Sequence, residues 1–120
     1  MTHILTALTL MIKGAFPMNF YKEIPSNQIA AEKAYIRSAI FKLLPYKEER
    51  YEYLDNYFES VLQLLKGFNK ISGYQPVVVS IISKVEYARD EAKDFQDYRK
   101  AIFDACGMVE HIKESDPNAT

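Results

Sequence analysis

The amino-acid sequence predicts an all-α fold, a compact bundle of four main helices with a short helix added at the N-terminus. Four segments repeat apolar residues every three or four positions, which is the period of a helix with one buried face. Prolines at positions 17, 25, 45 and 76 fall between these segments, where a helix begins or has ended. One stretch, Val77–Ile82, has enough β-branched residues for a strand, but no second strand candidate is present to pair with it. The chain of 120 residues is therefore expected to be one helical domain.

Residues 1–17 carry an apolar run from Ile4 to Ile12. No Lys or Arg precedes the run and no small-residue cleavage site follows it, so it lacks the features of a secretory signal. It is also shorter than the roughly 20 residues that span a bilayer. We interpret residues 1–17 as an extension helix that packs on the core. A second interpretation is that translation starts at Met18, which would make these residues an upstream extension.

The first main helix is predicted over residues 27–44. It follows Pro25, and Ser26 or Asn27 can cap it by accepting a hydrogen bond from a free backbone N–H. Pro45 is expected to end it, because proline has no N–H to donate and its ring clashes with the preceding turn. The apolar residues that recur at helical spacing are Ile29, Ile36, Ile40 and Leu43.

The second helix is predicted over residues 47–66 and shows the cleanest amphipathic pattern of the four. Gly67 is expected to end it, because glycine readily adopts the left-handed conformation that follows many helices. One apolar stripe is expected to face the core, and it consists of Tyr51, Leu54, Phe58, Val61, Leu62 and Leu65.

The third helix is predicted over residues 76–89. Pro76 suits its first position, where the missing N–H costs nothing. The helix interpretation is preferred to a strand over Val77–Ile82, because a lone strand would have no partner. The expected apolar stripe is Val78, Ile81 or Ile82, Val85 and Ala88.

The fourth helix is predicted over residues 94–114, with Asp94 as its N-cap and a frayed tail at 115–120. No Gly or Pro lies between positions 77 and 106, so one continuous helix is an alternative. A break near 90–94 is preferred, because a continuous helix would be about 57 Å long at 1.5 Å per residue and would overshoot its neighbours. The expected apolar stripe is Phe95, Tyr98, Ile102, Ala105 or Cys106, Val109 and Ile112.

Composition narrows the class of function. The formal net charge is −1, so no overall field draws the protein to nucleic acid or to anionic lipid. The single cysteine, Cys106, excludes an intrachain disulfide and is compatible with a reducing compartment, so we expect a cytoplasmic protein.

The residues that enzymes need for acid–base or metal chemistry are not grouped in this sequence. Its two histidines, His3 and His111, have no second ligand at metal-binding spacing, and His111 is interpreted as a solvated residue near a helix C-terminus. Cys106 lies on an apolar stripe and is interpreted as core filling. We therefore expect no enzyme activity, no cofactor and no metal site.

Tyrosine is unusually frequent in YKEERYEYLDNYFE, residues 46–59. Tyr46, Tyr53 and Tyr57 are spaced by seven and four residues, so on a continuous helix they form a row beside the apolar stripe. Tyrosine and arginine are enriched where partners bind, and Arg50 lies among these three. We predict that Tyr46, Arg50, Tyr53 and Tyr57 bind a partner. The alternative is that they cover the edge of the bundle, with the rings inside and the hydroxyls outside.

The leading functional prediction is a cytoplasmic protein that binds a protein partner as an inhibitor, immunity factor or adaptor. Phages and plasmids carry proteins of this kind. Self-association is predicted as a second kind of contact. The alternative is a small helical subunit of a nucleoprotein complex that contacts nucleic-acid backbone. Its contacts would come from the basic cluster Lys33, Arg37, Lys42, Lys47 and Arg50.

Overall fold

The computed structural model describes residues 26–113, with side chains from residue 28 onwards. The expected helix within residues 1–17, the alternative start at Met18, the cap at Ser26 or Asn27 and the tail at 115–120 lie outside what is described. The helices are α1 Ser26–Phe41, α2 Leu43–Glu48, α3 Leu54–Ile71, α4 Pro76–Asp90 and α5 Phe95–Val109. Because a single residue separates α1 from α2, the two count as one interrupted helix, and the prediction of a four-helix bundle is confirmed. None of the helices in residues 26–113 has the length and apolar composition that crossing a bilayer requires.

The four helices form a ring in cross-section. Helix α1 packs against α3 and α5, and α4 packs against the same two helices from the opposite corner. The closest pair is the hairpin of α4 and α5. Helices α1 and α5 run antiparallel, because Phe41 contacts Phe103 while Arg37 contacts Glu110.

The core lies where the apolar stripes of the four helices meet. The predicted stripes are buried almost throughout, and α4 is a helix across Val77–Ile82, as preferred. Each buried Leu, Ile or Phe stabilises the fold by roughly 1.5–3 kcal/mol relative to an exposed one. The stripe residues with less than a tenth of their surface exposed are Ile29, Ile36, Ile40, Leu43, Phe58, Val61, Leu62, Leu65, Val78, Ile81, Val85, Ala88, Tyr98, Ile102, Ala105, Cys106, Val109 and Ile112.

Pro45 does not separate two helices, as the sequence had suggested. It occupies the third position of α2, within the first turn, where its missing N–H leaves few bonds unmade. Its ring and missing donor act on the carbonyl four residues earlier, at Phe41. The helix is therefore interrupted at Lys42 and resumes at Leu43, and the tyrosine-rich segment begins in α2.

Helix α3 begins at Leu54, so the predicted start at residue 47 is wrong. The chain leaves α2 through a Schellman motif, in which the Arg50 N–H donates to Lys47 O at 3.2 Å and the Tyr51 N–H donates to Tyr46 O at 2.9 Å. Arg50 takes the left-handed position of this motif, with φ 56°. Tyr51 consequently lies outside any helix and is exposed, so its predicted place on the core stripe is also wrong.

The end of α3 also differs from the prediction. Gly67 lies inside the helix, which continues to Ile71, because burial of Phe68 and Ile71 outweighs the roughly 1 kcal/mol that an interior glycine costs. The glycine that ends α3 is Gly73, with φ 95°, and the Tyr74 N–H donates to Asn69 O at 2.8 Å.

The preferred break between the last two helices is confirmed. Helix α4 ends at Asp90, and the N–H groups of Glu91 and Ala92 both donate to Tyr87 O. Asp94 caps α5 as predicted, accepting a 2.8 Å bond from the Asp97 N–H. The helix ends at Val109, five residues before the expected position.

Candidate functional site

The tyrosines of residues 46–57 meet at the corner between α2 and α3. The Schellman motif ends α2, and the turn that follows leads into α3, so that rings from α2, the turn and α3 lie in contact. We call Tyr46, Tyr51, Tyr53 and Tyr57 the tyrosine cluster.

Ring contacts join all four members of the tyrosine cluster. Tyr46 lies at the centre, with its centroid 4.7 Å from that of Tyr51 and 5.0 Å from that of Tyr57, the second pair being edge-to-face. Tyr51 in turn contacts Tyr53, with the centroids 5.8 Å apart. Aromatic pairs in these geometries stabilise by roughly 0.5–1.5 kcal/mol beyond the area they bury. The cluster is thus ordered by its own contacts.

The cluster has an inner half and an outer half. Tyr57 is half-buried, and its hydroxyl donates to Ala39 O at 2.6 Å, which ties the start of α3 to the end of α1. Burial, together with the neighbouring Tyr46 and Tyr35, raises the pKa of Tyr57 to about 12. Tyr51 and Tyr53 form the outer half, with 42% and 55% of their surface exposed. The outer rings therefore offer apolar area that the bundle itself does not use.

The surroundings of the cluster are acidic. Residues 46–57 contain two cationic residues against four acidic ones, a net charge of −2. Lys47 is exposed, and its Nζ lies 5.3 Å from the centroid of the Tyr98 ring. Arg50 is exposed at the turn. The acidic side chains are all exposed, and they are Glu48, Glu49, Glu52 and Asp55.

Three of the predicted contact residues, Tyr46, Tyr53 and Tyr57, are brought together, though not as a row on one helix. Arg50 lies at the turn between them. The sequence interpretation missed Tyr51, which links Tyr46 to Tyr53. The charges around Tyr51 could have indicated its exposure. All five other residues of positions 47–52 are charged, so this stretch is unsuited to the core.

The residues of the nucleic-acid alternative are not assembled into one patch. Lys33 donates to Ile112 O at 2.9 Å, Arg37 pairs with Glu110, and Lys47 lies over Tyr98. Of this set, only Lys42 and Arg50 are exposed with no side-chain hydrogen bond, ion pair or ring contact to another residue of the described part of the chain. The members from Lys33 to Lys47 also spread along roughly 21 Å at 1.5 Å per residue.

The interpretation of Cys106 as core filling agrees with its position. The residue is buried, its Sγ lies 3.8 Å from Arg37 O, and burial raises the pKa of the thiol to about 11. His111 is exposed just beyond α5. Within residues 26–113, no three His, Cys, Asp or Glu side chains come close enough to hold a metal ion.

Comparisons of this chain with protein-family models, with curated proteins and with solved structures find no match.

Proposed function

We propose that this protein is a non-enzymatic, cytoplasmic binding protein that holds a protein partner at the tyrosine cluster, acting as an inhibitor, immunity factor or adaptor. The observation that carries the proposal is the outer half of the cluster. Tyr51 and Tyr53 are exposed, yet Tyr51 packs on Tyr46, which contacts Tyr57, and Tyr53 packs on Tyr51. Rings already held in place lose little conformational freedom on binding, which is the property of residues that dominate binding energy at interfaces.

The charges around the cluster define the partner's chemistry. Four exposed carboxylates surround the rings, against two exposed cations, Lys47 and Arg50, among residues 46–57. Complementary charge speeds association and excludes partners of the wrong sign. The proposed partner therefore presents a basic surface with an apolar centre that accepts Tyr51 and Tyr53.

The test is affinity purification from lysate of the source organism, followed by mass spectrometry. It compares three baits: wild type, Tyr53→Ala and Tyr74→Ala. Tyr53→Ala removes an exposed ring whose hydroxyl makes no hydrogen bond within residues 26–113, and should reduce recovery of the wild-type partner at least tenfold, as loss of a hot-spot tyrosine does. Tyr74→Ala is the matched control, because Tyr74 is 65% exposed but lies at the other end of α3, about 27 Å away at 1.5 Å per residue. A protein recovered equally with all three baits would contradict the proposal.

A second measurement separates binding from folding. Tyr57→Ala is unsuitable, because its loss also removes the bond to Ala39 O. Arg50→Ala and Tyr53→Ala should both weaken the purified complex in calorimetric titration while leaving the circular dichroism spectrum of the free protein unchanged. Weakened binding accompanied by a loss of helical signal would instead assign these residues a structural role.

A further inference from the structure

The outer half of the tyrosine cluster keeps an aromatic face open to solvent. Tyr53 is 55% exposed, and within residues 26–113 its ring packs on one other ring, that of Tyr51, at an interplanar angle of 73°. A ring has two faces, and a contact that is close to edge-to-face occupies at most one of them. The face is the negative part of the quadrupole of the ring, so it attracts cations. Tyr53 therefore offers an open face to a positively charged group.

No cation of the described part of the chain lies over a ring of the tyrosine cluster. Arg50 is exposed at the turn itself, but its guanidinium makes no such contact. The two cation–ring contacts within the described residues lie elsewhere, and they are Lys47 over Tyr98 and Arg99 over Phe103. The rings of the cluster are therefore available to a cation from outside the described chain.

The carboxylates around the cluster have no cation partner either. Four exposed acidic side chains form no ion pair with a cation of residues 26–113, and they are Glu48, Glu49, Glu52 and Asp55. Glu52 lies between Tyr51 and Tyr53 in the chain. Negative charges beside a ring face add to the attraction that a cation experiences there. A cation bound at this place gains contacts with rings and carboxylates without displacing one of the protein's own cations.

Arginine suits this combination better than lysine does. The guanidinium ion is planar, so it stacks on an aromatic face while its N–H groups donate to carboxylates around its edge. It is also more weakly hydrated than an ammonium ion, so leaving water costs it less free energy. We propose that the tyrosine cluster binds an arginine side chain of the protein partner, with the guanidinium on the open face of Tyr53 and its N–H groups toward the neighbouring carboxylates. The inference rests on the function proposed above and names the group that the cluster recognises.

Calorimetric titration of the full chain with three hexapeptides tests the requirement for arginine. Hexaarginine should bind, and hexalysine should bind at least about threefold more weakly. Hexacitrulline, which has nearly the shape of hexaarginine without its charge, should not bind. Hexalysine or hexacitrulline binding as tightly as hexaarginine would overturn the proposal, and so would a wild-type protein that does not bind hexaarginine.

Substitutions at Tyr53 separate a cation–ring contact from an apolar contact and from attraction by net charge alone. Tyr53→Phe keeps the ring and should bind hexaarginine within about twofold of wild type. Tyr53→Leu keeps apolar area but has no aromatic face, and should bind about tenfold more weakly. Tyr74→Leu is the matched control, because it removes a 65% exposed ring at the other end of α3, and it should bind like wild type. Equal affinity of Tyr53→Leu and wild type for hexaarginine would overturn the proposal.

A second pair of variants covers the case in which Tyr53→Leu loses its helical circular dichroism signal. Tyr51→Phe and Tyr51→Leu then take its place, because Tyr51 is exposed and lies outside the helices of the described chain. Equal affinity of these two variants for hexaarginine would also overturn the proposal.

The same variants used as baits distinguish this inference from the proposed function. A lysate partner that is lost with Tyr53→Ala but recovered with Tyr53→Leu would overturn the arginine contact and leave the proposed function standing. Hexaarginine binding that depends on the ring of Tyr53, with no partner recovered from lysate, would support the arginine contact and contradict the proposed function alone.

Discussion

Tyr98 shows how a single polar atom is accommodated in the core. It is 2% exposed, and its hydroxyl donates to Leu43 O at 2.7 Å. Its ring packs edge-to-face on Phe58 and stacks on Phe95, with centroids 6.2 Å and 5.9 Å away. Burial raises the pKa of its hydroxyl, which therefore stays protonated as a donor. One side chain of α5 thus holds the start of α2 and the face of α3 together.

The Tyr98 hydroxyl is expected to contribute measurable stability. Tyr98→Phe keeps the ring but removes the donor to Leu43 O, and should lower the free energy of unfolding by about 1–2 kcal/mol in urea denaturation. Tyr98→Ala also leaves a cavity and should cost about 3–5 kcal/mol. Tyr53→Phe is the control, since an exposed hydroxyl should change stability by less than about 0.5 kcal/mol. Equal stability of Tyr98→Phe and wild type would show that the buried bond contributes nothing.

At the scale of the helices, the boundaries follow from backbone chemistry together with burial. Pro45 interrupts the α1–α2 helix at Lys42 without ending it, because it falls within the first turn of α2. Gly67 is tolerated inside α3 because the apolar stripe continues on both sides of it, whereas Gly73 ends the helix where the stripe stops. Proline and glycine therefore do not mark a helix end by themselves. Whether either residue ends a helix depends on which of its neighbours are buried.

The turn after α2 is strained at Arg50. A residue other than glycine in the left-handed region costs roughly 1–2 kcal/mol, and Arg50 has φ 56°. Arg50→Gly should therefore raise the free energy of unfolding by about 0.5–1 kcal/mol, after allowance for the greater freedom of glycine in the unfolded chain. Urea denaturation monitored by circular dichroism measures the change.

The matched control for Arg50→Gly is Gly73→Ala, at the equivalent position after α3, where φ is 95°. It should lower stability by about 1 kcal/mol, because alanine is strained there. A loss of stability in Arg50→Gly would mean that the arginine side chain stabilises the turn by more than the strain it introduces. Partner binding should weaken in Arg50→Gly in spite of the more stable fold, as expected where a strained residue is kept for function.

At the scale of the whole molecule, the buried polar residues are gathered at the end of the bundle opposite the tyrosine cluster. The Gln75 amide bridges the start of α4 to the chain after α5, donating to Lys113 O at 3.1 Å and accepting from Lys113 N at 2.7 Å. Glu32 is 4% exposed, and neither of its carboxylate oxygens has a hydrogen-bond partner among residues 26–113. The polar residues with less than a tenth of their surface exposed are Glu32, Asn69, Ser72 and Gln75.

Glu32 should make the stability of the fold depend on pH near neutrality. Burial raises its pKa from 4.5 to about 7. Between these values the folded protein keeps the proton that the unfolded chain has lost, so unfolding releases a proton and stability falls as pH rises. The loss should reach up to about 1 kcal/mol per pH unit and should stop above pH 7, where Glu32 is ionised in both states.

Glu32→Gln should remove this slope and be more stable than wild type at pH 8, since an uncharged amide replaces a buried carboxylate. Thermal unfolding between pH 4.5 and pH 8 is the measurement. Glu91→Gln, at an exposed position after α4, should follow the wild-type profile. Parallel profiles for wild type and Glu32→Gln would contradict the assignment of the pH dependence to Glu32.

Helical periodicity and the positions of the prolines were enough to predict the fold class, the number of main helices, most of the core and the break before Asp94. These features depend on neighbours within one or two turns, so local sequence carries them. The predicted contact residues Tyr46, Tyr53 and Tyr57 also lie together in the structure, because they are close to one another along the chain. The interruption at Lys42, the turn at Arg50, the exposure of Tyr51 and the burial of Glu32 followed only from packing between helices, because burial and hydrogen bonding there depend on residues far away in the chain.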